Sequence, residues 1–280
     1  MEKIKLNICY FDLESTGLST QTSYILQIGG ICNKNNETFQ SYILPPPNFV
    51  ITNSDIHHIT HETLQSNNAC QFTEAIQAFK DWISSIYKDE IVYLIAHNNF
   101  GYDQLLFESQ CSRYNVNIPM NWRFYDSLYQ FRKYNPSIGY GNYSLSKLYD
   151  TFIGEEIEGE FHNAITDVKA LMKVHEKLTC EKFKKNVIYK EIIEEECRRS
   201  TNNIDWNKEP LERIIHNNDR VVKHINTKGF QTVGDLLLNY RKVIRMNSSF
   251  EEYLKIMGIT SKIIRLKITN QLKHIHFITG

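Results

Sequence analysis

The sequence predicts an α/β domain, a mixed β-sheet flanked by helices, followed by a small all-α domain. Three observations carry this reading. Strand-like segments crowd the first 45 residues, helical periodicities then alternate with an apolar run at 91–96, and beyond about residue 179 every periodic stretch is helical. With 280 residues, 41% of them hydrophobic and 12% aromatic, the chain has enough apolar surface for two cores, and wholesale disorder is excluded.

The elements follow in order. Residues 7–13 form a strand that runs into a turn. Alternation along it puts Asp12 and Glu14 on one face, with Ile8 and Tyr10 behind them. Strands are expected at 23–32 and 38–44, the latter ended by Pro45, Pro46 and Pro47, which offer no backbone donors. Residues 71–87 carry Phe72, Ala75, Ile76, Phe79, Trp82, Ile83 and Ile86 on one helical stripe. The run IVYLIA at 91–96 reads as a strand buried on both faces. A helix over 102–114, a short segment near 122–125 and helices at 127–133, 144–152 and 164–178 complete a domain over residues 1–179.

Residues 180–210 read as a charged amphipathic helix (Phe183, Val187, Ile188, Ile192) and a polar linker, STNNIDWNKEP. Residues 211–280 read as a basic domain of three or four short helices, with starts at Thr232 and at Ser248 marked by capping boxes. Net charge is zero overall, but residues 1–180 hold 13 Lys and Arg against 20 Asp and Glu, and residues 181–280 hold 19 against 12. The basic half, including Lys262, Arg265 and Lys273, is expected either to attract nucleic acid or to serve a protein partner or self-association. No stretch is long and apolar enough for a membrane helix, and the six cysteines form no C-x-x-C pair, so a reducing cytoplasmic or nuclear setting without a membrane is expected.

The chemistry-bearing residues are Asp12, Glu14, Asp103, His162 and Asp167. Four carboxylates and one imidazole can hold two divalent cations and deprotonate a water beside a phosphodiester. Asp103 opens a helix just after the buried strand, at the sheet edge where sites usually form. His162 lies in a polar loop and Asp167 in the helix that follows, turned away from that helix's apolar stripe.

FDLESTGL, AHNNFGYDQLLF and NYSLSKLYDTFIGEEIEGEFHNAITDVKAL resemble, in order, the three motifs of the DEDDh 3′→5′ exonucleases, most closely the three-prime repair exonucleases. The resemblance covers about residues 7–179 and implies an RNase H-like fold. It implies a two-metal 3′→5′ exonuclease that acts on nucleic acid with a free 3′ end, DNA over RNA and single-stranded or frayed termini, releasing 5′-mononucleotides in repair or related work. It further implies Mg²⁺, replaceable by Mn²⁺, as the cofactor, with Asp12, Glu14, Asp103 and Asp167 as ligands and His162 as general base. Thr16, Gly17, Leu18, Ile59, Asn98 and Tyr102 are the implied substrate contacts. One departure is Gly101, where the repair exonucleases carry a basic residue. The rival expectation is a catalytically silent nucleic-acid-binding or scaffolding protein that kept the fold. Separately, residues 250–272 are faintly similar to the last part of a SAM domain, where a glycine-isoleucine turn leads into a long helix.

Overall fold

The computed structural model describes residues 6–52, 54–157, 159–182, 186–200, 208–211, 214–215, 218–246 and 248–279. It divides into two compact units, residues 1–200 and 201–280.

The first unit holds a five-stranded sheet of β1 (Ile8–Ser15), β2 (Ile25–Cys32), β3 (Thr38–Tyr42), β4 (Val92–Ala96) and β5 (Trp122–Asp126), in the order β3-β2-β1-β4-β5. The β1–β2 and β2–β3 pairs are antiparallel, and β1–β4 and β4–β5 are parallel. The helices are α1 (Ser54–His57), α2 (His61–Ser66), α3 (Phe72–Tyr87), α4 (Asp103–Arg113), α5 (Ser127–Tyr134), α6 (Leu145–Phe152), α7 (Ala164–Lys182) and α8 (Asn186–Glu196). The fold is the expected mixed sheet flanked by helices. The expected segment at 122–125 is a true strand, and α1 and α2 are short helices that no apolar periodicity announced.

Alternation along β1 divides the core. Cys9, Phe11 and Leu13 pack with α3 and α4, where Phe79, Ile83, Leu106 and Phe107 are buried. Ile8 and Tyr10 face the other way, into a cluster with Val168, Leu171, Tyr189 and Ile193. Tyr189 and Ile193 belong to α8, so the charged helix expected to start a linker is part of the first unit's core. After α8 the chain bridges to the open edge of β5, through Phe124 N–H to Arg198 O (2.7 Å) and Arg198 N–H to Phe124 O (2.8 Å). That contact covers an edge strand, and it explains why the unit ends near Ser200 and not at 179. The side chains of Phe183, Val187 and Ile188, and linker residues 201–207, lie outside the described residues.

A buried polar chain ties these layers together. Tyr10 Oη lies 2.9 Å from His175 Nδ1, while His175 Nε2 meets Tyr189 Oη at 2.7 Å and Gln130 Oε1 at 3.0 Å. Burial pushes His175 down to about 3, so the imidazole works as a neutral crosslink.

Two adjacent glycines in β2 let helices close on both faces. A Cβ at Gly29 would lie 2.7 Å from the backbone carbonyl of Ala164, the first residue of α7, and one at Gly30 would lie 3.0 Å from Phe79 and Trp82. Gly29 pairs with Asp12 in the register, so this close approach seats the start of α7 beside the carboxylate strand.

The second unit packs α9 (Asp219–Thr227), α10 (Val233–Arg245), α11 (Phe250–Ile256) and α12 (Lys262–Thr279) around Val222, Ile225, Leu236, Leu237, Leu254, Ile268, Leu272 and Ile275. Thr232 and Asp235 form the expected capping box. The cap of α11 is Ser249, which accepts from Glu252 N–H, one residue later than the expected Ser248. Arg265 departs from the expectation of a free basic side chain. It is 8% exposed, and its guanidinium donates to the carbonyls of Ile259 (2.8 Å) and Thr260, stapling the turn between α11 and α12.

Gly29→Ala is expected to destabilise the first unit by about 1–3 kcal/mol, because the methyl meets helix backbone that cannot rotate away. Thermal denaturation checks this, and an unchanged midpoint would contradict the seating of α7 on Gly29.

Candidate active site

The site is assembled from three chain segments at one edge of the sheet. On β1, Asp12 stands opposite Gly29 and Glu14 opposite Gln27, and a register irregularity after Glu14 ends the strand. The turn that follows is tightly held. Ser15 Oγ donates to Gly17 O (2.9 Å), Thr16 N–H donates to Tyr24 O (2.9 Å), and Thr16 Oγ1 accepts from Tyr24 N–H (3.0 Å). Tyr102 reaches in from the second segment, its hydroxyl 2.5 Å from Gly17 O and 2.5 Å from Ser15 Oγ. Leu18, next along, projects at 89% exposure, an apolar side chain with no packing reason to be there.

The second segment leaves β4 at Ala96. Asp126, at the end of the parallel neighbour β5, accepts from Asn98 N–H (3.2 Å) and Phe100 N–H (3.0 Å), and from Leu128 N–H (2.8 Å) and Tyr129 N–H (3.2 Å) at the start of α5. Asn99 adds bonds from its amide to Leu94 O and Tyr125 O. His97 is fully engaged, with Nδ1 at Ser127 Oγ (3.0 Å) and Nε2 at Tyr143 O (2.7 Å). So fastened, the loop delivers Asp103 as the first residue of α4, 4% exposed, where backbone N–H groups of Asp103 itself and of Leu13 favour its charged form. The same loop accounts for Gly101. A Cβ there would fall 2.5 Å from Asn98 Oδ1, so any side chain at 101 displaces the Asn98 amide.

The third segment is the start of α7. Asn163 caps it, accepting from Ile165 N–H at Oδ1 (3.1 Å) and from Asp167 N–H at its carbonyl (2.9 Å). Just before it, His162 is held at φ +68°, a left-handed conformation unusual for a residue with a side chain. Its backbone N–H donates to Asp167 Oδ2 (3.1 Å), and its side chain is exposed. Glu14, His162 and Asp167 each present a ligand atom within 4.8 Å of the others.

Charge crowding dominates the electrostatics. Burial first, then the neighbouring acids, push Glu14 up to about 8. Burial is also the main cause that lifts Asp103 to about 8 and Asp167 to about 7. Asp12, facing Asp167, Asp103 and Glu14, is raised well above the carboxylate range, burial again coming first. Asp167 Oδ1 is buried with no hydrogen-bond partner among the described residues. An orphaned carboxylate oxygen amid four crowded acids fits a hard divalent cation, and the all-oxygen carboxylate set suits Mg²⁺ or Mn²⁺ better than Zn²⁺.

The structure thus brings Asp12, Glu14, Asp103, His162 and Asp167 together, with Thr16, Gly17 and Leu18 in the adjoining turn, Tyr102 bonded to that turn from the start of α4, and Asn98 exposed on the loop before Asp103. Ile59 is a different matter. It is 2% exposed and packs with Leu26 and Leu64, and it lines a pocket with His58, Phe161 and His162. Its neighbour His57 accepts from Ile59 N–H at Nδ1 and bonds Thr52 O through Nε2. Two contributors escape a reading of the sequence, Asp126 and Gln27. An aspartate just before a helical periodicity is a signal that could mark Asp126 as a cap. No sequence signal separates Gln27 from any polar residue in a strand.

The family model described as Exonuclease (RNase_T) matches residues 9–175. The chloroplastic/mitochondrial exonuclease DPD1 of Arabidopsis thaliana is 31% identical over 181 residues, covering 62% of this chain and 56% of the plant protein. A PolC-type DNA polymerase III of Mycoplasma pneumoniae is 23% identical over 279 residues, 95% of this chain but 18% of the polymerase. The chain therefore spans about half of the first relative and less than a fifth of the second. Among solved structures, the nuclease domain of 3′hExo, a DEDDh family member bound to rAMP, superposes with a TM-score of 0.54 at 15% identity over 65% of this chain and 94% of that domain. Exonuclease I gives 0.52 at 16% identity over 68% of this chain and 44% of its own length. With the family match covering more than half of the sequence, the chain belongs to the Exonuclease (RNase_T) family, and these solved structures share its fold.

Proposed function

We propose that this protein is a metal-dependent 3′→5′ exonuclease that removes 5′-mononucleotides from unpaired 3′ ends of nucleic acid. The observation that carries the reading is the convergence of four mutually repelling carboxylates with an exposed imidazole beside a rigid turn that projects Leu18. A silent scaffold has no physical use for that repulsion. Asp12, Glu14, Asp103 and Asp167 would hold two Mg²⁺ ions, which supply neutralising charge and polarise the attacking water and the phosphodiester. His162 takes the proton of the attacking water, its backbone tied to Asp167 so that the ring stays beside the cluster. Gly17 and Thr16 position the terminal sugar through the turn that Tyr102 holds in place. Leu18 wedges against the last base, which selects strands whose terminus is single or frayed. A preference for DNA is supported by the polymerase relative that aligns along nearly the whole chain.

The basic second unit is proposed to contact the substrate strand. On α12 the exposed basic side chains include Lys262, Lys267 and Lys273, with Arg265 committed to its turn.

A 5′-labelled oligonucleotide incubated with Mg²⁺ should give a ladder of shortened products that EDTA abolishes, and matched DNA and RNA substrates decide the sugar preference. Absence of a ladder with both Mg²⁺ and Mn²⁺ would leave the silent scaffold as the reading. Asp12→Ala and Asp167→Ala should abolish activity and weaken metal binding. His162→Ala should lose on the order of 10²–10⁴-fold in rate while still binding metal. Equal loss of metal binding in all three would make His162 a ligand and not the base.

The raised carboxyls also set a pH dependence. Their pKa values lie higher folded than unfolded, so without metal the native state binds more protons, and stability falls as pH rises from about 4 toward the folded values of about 7 and 8. Denaturation in EDTA should show that decline, and saturating Mg²⁺ should flatten it by replacing the protons. Parallel profiles with and without Mg²⁺ would contradict metal binding by these acids. Finally, removal of residues 201–280 should leave a folded nuclease with a shallower salt dependence of binding, by about 0.7 in log–log slope for each single-strand phosphate that this unit neutralises. Unchanged slopes, with loss of self-association or of a protein partner, would assign the unit to protein interaction instead.

A further inference from the structure

Gln27 is fully buried in β2, directly opposite Glu14. Its Oε1 accepts the backbone N–H of Ala164 at 3.1 Å, so it holds the first residue of the helix that carries Asp167. That bond fixes the orientation of the amide, because Ala164 N–H is a donor and must face the oxygen. The Nε2 end is then left as a buried donor with no hydrogen-bond partner among the described residues. A buried donor without a partner costs roughly as much as a lost hydrogen bond, and such groups are rare unless a partner arrives with function. The acceptor directly across the strand pair is Glu14. Directly opposed residues of an antiparallel pair point to the same face with Cβ atoms about 4.5–5.5 Å apart, within reach of two long side chains. Gln27 and Glu14 are therefore complementary, one with spare N–H and the other with carboxylate oxygens.

We propose that Gln27 is a positioning residue for the metal site, clamping Glu14 to α7. Its oxygen holds the helix start and its amide N–H donates to the Glu14 carboxylate when that group is ionised and ligating a cation. The clamp sets the spacing between Glu14 on the strand and Asp167 one turn into the helix, and it aims one Glu14 oxygen at the protein so that the other faces the cation. This rests on the metal-binding reading of the site above. It makes the choice of glutamine specific, since a hydrophobic residue would fill the same volume, and a purely structural role needs only the acceptor.

The test is a double-mutant cycle read in Mn²⁺ affinity of the full chain, by titration calorimetry or by the electron paramagnetic resonance of free Mn²⁺. Gln27→Met, close in volume, should weaken Mn²⁺ binding by about 10- to 100-fold, the usual scale for a residue that orients a ligand. In a Glu14→Gln background the same change should cost little, because the carboxylate it orients is gone. An equal fold-loss in both backgrounds would overturn the clamp and leave Gln27 as a helix anchor alone. A second measurement needs no Gln27 variant: in ¹⁵N-labelled wild-type protein, Mg²⁺ should shift the Gln27 side-chain amide signals and slow their exchange with solvent. Signals unmoved by saturating Mg²⁺ would also overturn the proposal. A wild-type chain that binds neither ion would sink the metal reading itself, whereas normal binding with additive mutants sinks only the role of Gln27.

Discussion

Four carboxylates from a strand and two helix starts must stay close to one another in a poorly solvated cleft, against their own repulsion. Almost every unusual feature of the first unit answers that constraint. The central strand supplies two of the acids and cannot move, since both of its faces are packed. Asp103 is delivered by a loop fastened through backbone bonds to Asp126, itself fixed at the end of β5 and the start of α5. Asp167 is delivered by a helix that can approach only because position 29 has no side chain. The repulsion is local, while the restraints are spread over the sheet, two layers of helices and the His175 crosslink.

This arrangement places the acids on regular elements and the imidazole on a loop, which suits the proposed hydrolysis. The acids stand on β1, α4 and α7, elements whose positions are set by burial. The imidazole stands on a loop, in a left-handed backbone conformation maintained by its own N–H bond to Asp167. Leu18 likewise stands clear of the core on a turn that Tyr102 and Tyr24 keep from collapsing. In the proposed reaction the acids would hold the cations and the imidazole would take the proton of the attacking water.

Much of this is legible in the sequence because it rests on short-range rules. Alternation in FDLES puts Asp12 and Glu14 on one face, and the apolar run before His97 locates the buried strand that sets up Asp103. The order of the three motifs then supplies the fold. What is not legible depends on where distant backbones meet. Nothing at Gly29 distinguishes a site of helix contact from an ordinary strand glycine until Ala164 is seen against it. The packing of Ile59 against Leu26 is likewise set by where distant backbones meet. Arg265 reads as a surface charge until two carbonyls claim it. Helix α8 reads as a connector because its charged face outnumbers the few residues, Tyr189 and Ile193, that enter the core.

In the proposed cation site, protons balance the crowded acids until metal replaces them. The most direct test is calorimetric titration of Mn²⁺ into the metal-free protein near pH 7, repeated in two buffers of different ionisation enthalpy. The apparent binding enthalpy should differ between the buffers, because protons leave Glu14, Asp103 and their neighbours as the ions enter. That difference should shrink in Asp103→Asn. Binding with the same enthalpy in both buffers, or no binding, would contradict it.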